Sequence, residues 1–191
     1  TGTLPEPYKG IRKKKFVTAV RLDPQKNLEM LIDAFSRFEK LYPDYTLEIY
    51  GEGSQRSYLE NKCKEMNVEN KVVLKGFSKN LHENILDASA FIMSSNYEGM
   101  SNSLLEALAL GVPVISTDHP IGGARMFIKN GNNGILTKVG DTDEMFNALL
   151  FAANNPEKMQ AMADEAIRIR QQISVEKIVS QWMSYIEKVC G

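Results

Sequence analysis

Six short apolar runs alternate along this chain with longer segments in which apolar residues recur at helical spacing. The runs are rich in β-branched and aromatic residues, which is typical of buried strands. We predict strands at 16–20, 46–50, 72–74, 90–93, 112–116 and 134–136. We predict helices after an Asn27 cap, over 54–66 and 81–88, from the turn at 98–103 to Gly111, over 124–129, over 141–154, after Pro156, and over 174–189. Strands separated by amphipathic helices predict an α/β domain with a six-stranded parallel sheet covered on both faces.

The loops that carry glycines and charged residues all follow predicted strands. They cover residues 21–26, 51–53, 76–77 and 96–103. Parallel strands place their carboxyl ends at one edge of the sheet, and ligands of such sheets bind there. We therefore expect these loops to line one crevice, although the alternation by itself does not indicate which ligand binds.

Two glutamates, Glu98 and Glu106, bracket a polar turn that leads into an apolar helix. A helix start has unpaired N–H groups and a partial positive charge, which suit a phosphate. The backbone donors that we expect to hold it belong to Gly99, Met100, Ser101, Asn102, Ser103 and Leu104. Carboxylates beside such a site need hydroxyl partners, and a nucleotide sugar supplies a diphosphate and diols together. The alternative is that both acids are solvated and only interact favourably with the helix dipole. In that case Ser101, Asn102 and Ser103 simply compete as helix caps.

Two cations, Arg21 and Lys26, lie in the loop after the first predicted strand. A planar guanidinium and a mobile ammonium on one short loop can clamp a diphosphate from one side. The alternative is that they are surface charges, one of them paired with Asp23. The turn Gly51-Glu52-Gly53 after the second strand matches a dinucleotide fingerprint only weakly, because the third glycine is missing.

The composition is ordinary for a globular protein, with 191 residues, 43% hydrophobic and 25% charged residues and a net charge of −1. This balance gives no overall attraction to nucleic acid or to a membrane. The basic run at residues 12–15 is either a solvated lead-in to the first strand or a contact for anionic lipid headgroups. No apolar stretch approaches the ~20 residues that span a bilayer.

The cysteines and histidines give no sign of a metal site. Cys63 and Cys190 lack ligand spacing, which favours a reduced, cytoplasmic protein, peripheral at the inner face of the plasma membrane if the basic run binds lipid. His82 and His119, the two histidines of the sequence, have no Cys, His or paired carboxylate at ligand spacing. The sequence opens without Met on a Pro-containing loop, from which we expect an excised domain.

Three motifs in order carry a family resemblance. Residues 95–118 contain two glutamates separated by seven residues and then a strand, residues 20–27 contain Arg21-Leu22 and Lys26, and residues 130–136 form a late glycine turn. Together they resemble the C-terminal, nucleotide-sugar-binding domain of retaining glycosyltransferases of family 4, the glycosyl transferases group 1, which have the GT-B fold. The resemblance runs from about residue 16 to the end. It implies a Rossmann-like three-layer sandwich, the C-terminal half of a GT-B enzyme.

The resemblance also implies a role for each matched residue. The implied roles are diphosphate binding by Arg21 and Lys26, contact with the donor sugar by Glu98, ribose binding by Glu106, phosphate binding by the amides after Glu98, and contact with the base by the backbone at Phe77 and Ser78. Cations and N–H dipoles aimed at the departing diphosphate stabilise the transition state, and no divalent cation is needed if Arg21, Lys26 and the helix start carry that charge. The implied donor is a UDP-linked sugar, transferred with retention to a glycan or lipid-linked acceptor in polysaccharide, lipopolysaccharide or capsule biosynthesis.

The implied domain organisation has a linker at 1–15, the nucleotide-sugar-binding domain at 16–173, and a helix at 174–191. That helix crosses to an N-terminal domain that holds the acceptor, and its apolar face around Trp182 is exposed without it. Val20, Met100, Asn102 and the long turn at 119–125 depart from the family pattern and leave the sugar open. Two alternatives stand beside this interpretation: a sugar-nucleotide epimerase on the same scaffold, and a non-catalytic module that docks partners through the last helix.

Overall fold

Six strands and eight α-helices make up the part of the chain that the structure, a computed structural model, describes: residues 4–173 and 175–190. The strands are β1 (Lys13–Ala19), β2 (Thr46–Tyr50), β3 (Val72–Gly76), β4 (Ala88–Met93), β5 (Val114–Thr117) and β6 (Ile135–Thr137). The helices are α1 (Leu28–Glu39), α2 (Arg56–Glu65), α3 (Leu81–Ile85), α4 (Asn102–Leu110), α5 (Thr142–Asn154), α6 (Pro156–Ala166), α7 (Ile169–Gln172) and α8 (Val175–Cys190). A short 3-10 turn, Pro24–Lys26, precedes α1.

The sheet is parallel throughout, in the order β3-β2-β1-β4-β5-β6. From β1 the chain moves outward through β2 and β3, and it then returns to β4 on the other side of β1. The strand order therefore reverses between β1 and β4, and a crevice opens at the carboxyl ends of these two strands. The predicted fold class, an α/β domain with a six-stranded parallel sheet, is confirmed.

Neighbouring residues of one strand pack on opposite faces of the sheet, as the two-residue period requires. Phe16 belongs to one buried cluster with Phe38 of α1, and the centroids of their rings lie 5.2 Å apart. Val17 belongs to a second buried cluster with Leu104 and Leu108 of α4. Helices thus cover both faces, and the three layers hold the strand ends rigidly.

Several boundaries differ from the prediction. β1 begins at Lys13 rather than at residue 16, because Lys13 and Lys15 are paired with Asp87 at 2.7 and 2.8 Å. The segment 124–129 was predicted as a helix and forms turns instead. Asn133 explains this difference, since its side chain accepts from the amide of Lys129 at 2.7 Å and donates to the carbonyl of Phe127 at 2.8 Å.

The basic run at 12–15 is tied to the domain. Arg12 donates to Gln160 Oε1 at 2.9 Å and to the carbonyls of Leu86, Ala88 and Gly111 at 2.7–3.1 Å. Burial lowers the pKa of Arg12 to about 10, at which it still carries its charge at neutral pH. The lysines that follow pair with aspartates of the domain. The run is therefore more than a solvated lead-in.

Helix α8 is amphipathic, and its side chains from 177 to 189 are all exposed. The apolar ones are Ile178, Val179, Trp182, Met183, Tyr185, Ile186 and Val189. The structure thus has the predicted helix and its exposed apolar face, whereas the predicted cap, Ser174, lies outside the described residues. Among the described helices, none combines the length and the apolar character that crossing a bilayer requires.

Candidate functional site

Two loops, one after β1 and one after β4, are bound to each other at the crevice. The amide of Asn96 donates to the carbonyl of Gln25 at 2.8 Å, and Gln25 Nε2 donates to the carbonyl of Tyr97 at 2.7 Å. Ser94 Oγ donates to the carbonyl of Lys26 at 2.7 Å. Two of the four loops that the sequence predicted at one sheet edge therefore form a single wall.

Lys26 and Glu98 form an ion pair in this wall. Only 16% of the lysine side chain and 10% of the glutamate side chain is exposed. Ser95 Oγ donates to Glu98 Oε1 at 2.9 Å, the same oxygen that accepts from Lys26. The sequence presented these two residues as parts of separate motifs, and the fold makes them partners. A largely buried cation and a buried carboxylate thus meet where the strand order reverses.

Arg21 lies beside the same wall and is far more exposed. Its side chain is 81% exposed, and its Nη2 atom lies 3.0 Å from Asp23 Oδ2. This pairing is the one that the surface-charge alternative expected. Arg21 also lines a cleft of about 380 Å³ together with Tyr50, Phe77 and Ser78. Phe77 and Ser78 are the residues for which the family resemblance implies contact with the base, and the Phe77 side chain is largely exposed.

The glycines of the turn after β2 serve close packing. A Cβ atom on Gly51 would lie 1.9 Å from the carbonyl oxygen of Val20, and Gly51 has a φ of +124°. A Cβ atom on Gly53 would lie 2.5 Å from the carbonyl oxygen of Leu22. Any larger residue would push the loops after β1 and β2 apart. This packing accounts for the weak fingerprint without a bound phosphate.

The start of α4 lacks a side-chain cap from Ser101, the residue at the N-cap position. The hydroxyl of Ser101 lies 3.3 Å from that of Ser103 instead. Space is open beside Gly99, since a Cβ atom there would meet nothing within 4 Å. Met100 and Asn102 are exposed, whereas the Leu104 side chain belongs to the core. Backbone donors at this helix start are thus placed to meet an anion.

Glu106 lies on the second turn of α4 and faces α3. Its Oε2 atom is 3.2 Å from His82 Nε2, and the two side chains are 42% and 39% exposed. The sequence treated His82 only as a possible metal ligand and missed this contact. A tertiary pairing of α3 with α4 leaves no trace in spacing along the chain, so no sequence signal was available to find it.

His119 is the second residue that the sequence reasoning missed. It follows β5, is 1% exposed, and lies near enough to Glu98 for the glutamate charge to act on its ring. Within the described part of the chain, no group of three His, Cys, Asp or Glu side chains is arranged to hold a metal ion.

The fold and the crevice define a Rossmann-like α/β domain whose site combines cations, open helix amides and carboxylates. The chain belongs to the family described as glycosyl transferases group 1, whose model matches residues 7–169. The predicted membership of the glycosyl transferases group 1 and the GT-B type of fold are confirmed, whereas family 4 and the retaining mechanism stay predictions.

Three similar proteins illustrate the match. A Campylobacter jejuni protein, N-acetylgalactosamine-N,N'-diacetylbacillosaminyl-diphospho-undecaprenol 4-alpha-N-acetylgalactosaminyltransferase, is 34% identical over 91% of this chain and 47% of its own length. The structure of S. aureus TarM with fondaparinux, alpha-GlcNAc-glycerol and UDP has a TM-score of 0.88 at 25% identity, covering 96% of this chain and 37% of TarM. The pneumococcal O-GlcNAc transferase GtfA, with UDP and GlcNAc, has a TM-score of 0.80 at 25% identity, covering 98% of this chain and 38% of GtfA. The chain spans about half the length of the first curated relatives that it matches.

Proposed function

We propose that this chain is the donor-binding domain of a retaining glycosyltransferase that transfers a sugar from a UDP-linked donor to a glycan or lipid-linked acceptor. One observation carries the proposal: in a chain of this family, Lys26, Glu98 and the start of α4 meet at the carboxyl ends of β1 and β4. The presence of UDP in the structures of TarM and GtfA supports the choice of base.

The diphosphate binds between the two cations and the helix start. Arg21 moves to it at little cost, because an exposed pair such as Arg21–Asp23 is worth only about 0–1 kcal/mol. Lys26 is held next to the crevice by Glu98 and shares its charge with the incoming phosphates. The amides after Glu98 hold the outer phosphate along the helix dipole.

The hydroxyl groups of the donor meet the two glutamates. Glu98 faces the transferred sugar, and Glu106 accepts from the ribose while His82 orients its carboxylate. A carboxylate accepts two hydrogen bonds side by side, which matches a diol. The base lies in the cleft of about 380 Å³, against the backbone at Phe77 and Ser78.

Bond cleavage at the anomeric carbon leaves additional negative charge on the departing diphosphate. Arg21, Lys26 and the amides at the start of α4 stabilise that charge more strongly in the transition state than in the ground state. We propose that these groups suffice without a divalent cation. Transfer by the full-length enzyme that is lost in EDTA and restored by Mg²⁺ or Mn²⁺ would contradict this part of the proposal.

The acceptor binds to a further domain, against which the exposed apolar face of α8 packs. The structural reason is that seven apolar side chains of α8 lie exposed on this chain, and a patch of this kind marks an interaction surface. A cytoplasmic protein with peripheral membrane contact remains a prediction. The basic run at 12–15 is engaged within the domain and is a poor candidate for that contact.

The test is the melting temperature of this chain with UDP, GDP, ADP and their sugar conjugates. A ligand at 100 times its Kd stabilises the folded domain that binds it by about 2.7 kcal/mol. For a domain of this size, that corresponds to a rise in melting temperature of about 5–10 °C. We expect UDP compounds to give such a rise. A panel that left the melting temperature unmoved would refute donor binding.

A second candidate is a non-catalytic module that docks partners through α8, which the exposed face of that helix also favours. It predicts indifference to all nucleotides, and loss of partner binding when residues 174–191 are deleted. An epimerase on the same scaffold is separated by product analysis of the full-length protein, because it converts the nucleotide sugar without an acceptor.

A further inference from the structure

We propose that the His119 ring forms a hydrogen bond to a hydroxyl of the transferred sugar, beside Glu98, and helps to select that sugar. This inference rests on the proposed function and adds to it a specificity-determining residue.

The loop at 118–123 folds back onto the turn after β4. The amide of Asp118 donates to the carbonyl of Thr137 at 2.7 Å, and the amide of Gly122 donates to the carbonyl of His119 at 2.9 Å. A Cβ atom on Gly123 would lie 1.7 Å from the carbonyl oxygen of Gly99 and 3.3 Å from His119 Cε1. The ring therefore lies against the backbone that follows Glu98.

The two ring nitrogens of His119 are buried, and neither has a hydrogen-bond partner among the described residues. An unpaired buried polar group costs about 1–3 kcal/mol. Such groups are few in native proteins and each requires an explanation. An apolar side chain of similar size would fill this space without that cost, so the ring indicates a partner that arrives with a ligand.

The charges around the ring favour a hydroxyl over a phosphate. Burial lowers the pKa of His119, although the charges of Glu98 and Asp118 act in the opposite direction, while Arg125 reinforces the lowering. The ring is therefore neutral at pH 7, with one donor and one acceptor nitrogen. A hydroxyl offers the complementary donor and acceptor, whereas a phosphate would face two carboxylates. Phosphate binding falls to Lys26 and Arg21, the cations of the loop after β1.

Access to the ring requires a small movement of the loop. Pro120 and Ile121, which follow His119, are exposed, so the ring lies close to the protein surface. Gly122 has a φ of +82°, and only the Arg125 side chain lies near its Cβ position. Gly122 can therefore change its conformation with little steric hindrance, whereas Gly123 is packed against the carbonyl of Gly99.

The two histidines of the sequence make this inference directly observable. The chain is labelled with ¹⁵N,¹³C-histidine, and its ring signals are assigned with His119→Gln and His82→Gln. UDP, UDP-glucose, UDP-galactose, UDP-N-acetylglucosamine and UDP-N-acetylgalactosamine are added in turn. We expect UDP to move the His82 signals only, and at least one UDP-sugar to move those of both histidines.

Calorimetry on the same variants measures how much each histidine contributes to the affinity for UDP and for the UDP-sugars. We expect His119→Gln to weaken binding of the tightest UDP-sugar about 2- to 13-fold, the range of one lost hydrogen bond, and to leave the affinity for UDP within about twofold. His82→Gln is the contrast, since it weakens UDP and the UDP-sugar alike.

Three results would overturn the inference while leaving donor binding intact: His119 signals unmoved by every UDP-sugar that binds, His119 signals moved equally by UDP, or equal losses for UDP and UDP-sugar in His119→Gln. The labelled wild-type chain decides the question even if the variant fails to fold. If no nucleotide moves either histidine or the melting temperature, the proposed function fails together with the inference.

Discussion

Replacement of Lys26 by methionine tests the buried ion pair at the centre of the crevice. Two unit charges 4 Å apart attract each other by about 4 kcal/mol at an effective dielectric constant of 20, and desolvation offsets much of this. Removal of one partner of a buried pair costs about 3–5 kcal/mol, because the other charge stays buried and unpaired. The Lys26 and Glu98 side chains keep 16% and 10% of their exposure, so we expect the lower end.

We therefore predict that Lys26→Met lowers the free energy of unfolding by about 3 kcal/mol and the melting temperature by about 6–12 °C. Glu98→Gln should act similarly, since it leaves the ammonium unpaired. The free energy of unfolding of the double variant should exceed, by about 1–3 kcal/mol, the value expected from adding the losses of the two single variants. Denaturant unfolding of the four proteins measures these values.

Nucleotide binding separates the two roles of the pair. Lys26→Met should weaken the binding of UDP by about 1.5–3 kcal/mol, the scale of a charged hydrogen bond. Glu98→Gln should keep the affinity for UDP and lower the affinity for the UDP-sugar. The matched control is Lys62→Met on α2. The Lys62 side chain is 14% exposed and pairs with Glu29 and Asp33, so its loss changes a comparable contact away from the crevice. The role assigned to the ion pair would be refuted if each single change lowered the free energy of unfolding by less than about 1 kcal/mol and the two changes simply added. It would also be refuted if Lys62→Met weakened UDP binding as much as Lys26→Met does.

Three further substitutions probe the rest of the site. Arg21→Ala should weaken UDP by about 1.5–3 kcal/mol in calorimetry, with the exposed, carboxylate-paired Arg168→Ala as a control that leaves affinity unchanged; equal affinity for wild type and Arg21→Ala removes this residue from the site. His82→Ala should reduce the preference for UDP over 2′-deoxy-UDP, because Glu106 loses the group that orients it; an unchanged preference contradicts that role. Gly123→Ala should destabilise the fold by about 1–3 kcal/mol in thermal unfolding, because its Cβ atom would overlap the carbonyl oxygen of Gly99. Gly99→Ala provides the contrast, since its added Cβ atom meets open space. Equal stability of the two alanine variants would be evidence against the tight contact.

The helices and strands could be predicted from the sequence because helix caps and apolar runs are local features of the chain. The Asn27 side chain accepts from the amide of Met30 at 3.4 Å, so the predicted cap is confirmed, and the Asp141 side chain accepts from the amide of Glu144 at 2.8 Å at the start of α5. Apolar runs marked the central strands β4 and β5 because their residues are almost all buried, whereas the edge strand β3 alternates buried and exposed positions. The helix predicted at 124–129 is wrong and shows the limit, because backbone groups of this segment bond to the side chain of Asn133 instead.

The site was predictable only to the level of its loops. Parallel strands place every loop after a strand at one edge, so the motifs around Arg21 and Glu98 were expected to meet. The Lys26–Glu98 pair and the contact of His82 with Glu106 depend on how the loops and helices pack in space. The burial of His119 depends on how the loop after β5 folds over the turn after β4. Spacing along the chain does not encode such contacts.

The most direct measurement is a crystal structure of this chain with a UDP-sugar. We predict that the pyrophosphate lies within about 3 Å, hydrogen-bond distance, of Lys26 Nζ and of the amides at the start of α4, with the base in the cleft beside Phe77. A nucleotide in the apolar hollow of about 310 Å³ between β6 and α5, lined by Ile135 and Phe151, would contradict this placement. So would a crevice without ligand density at saturating concentration.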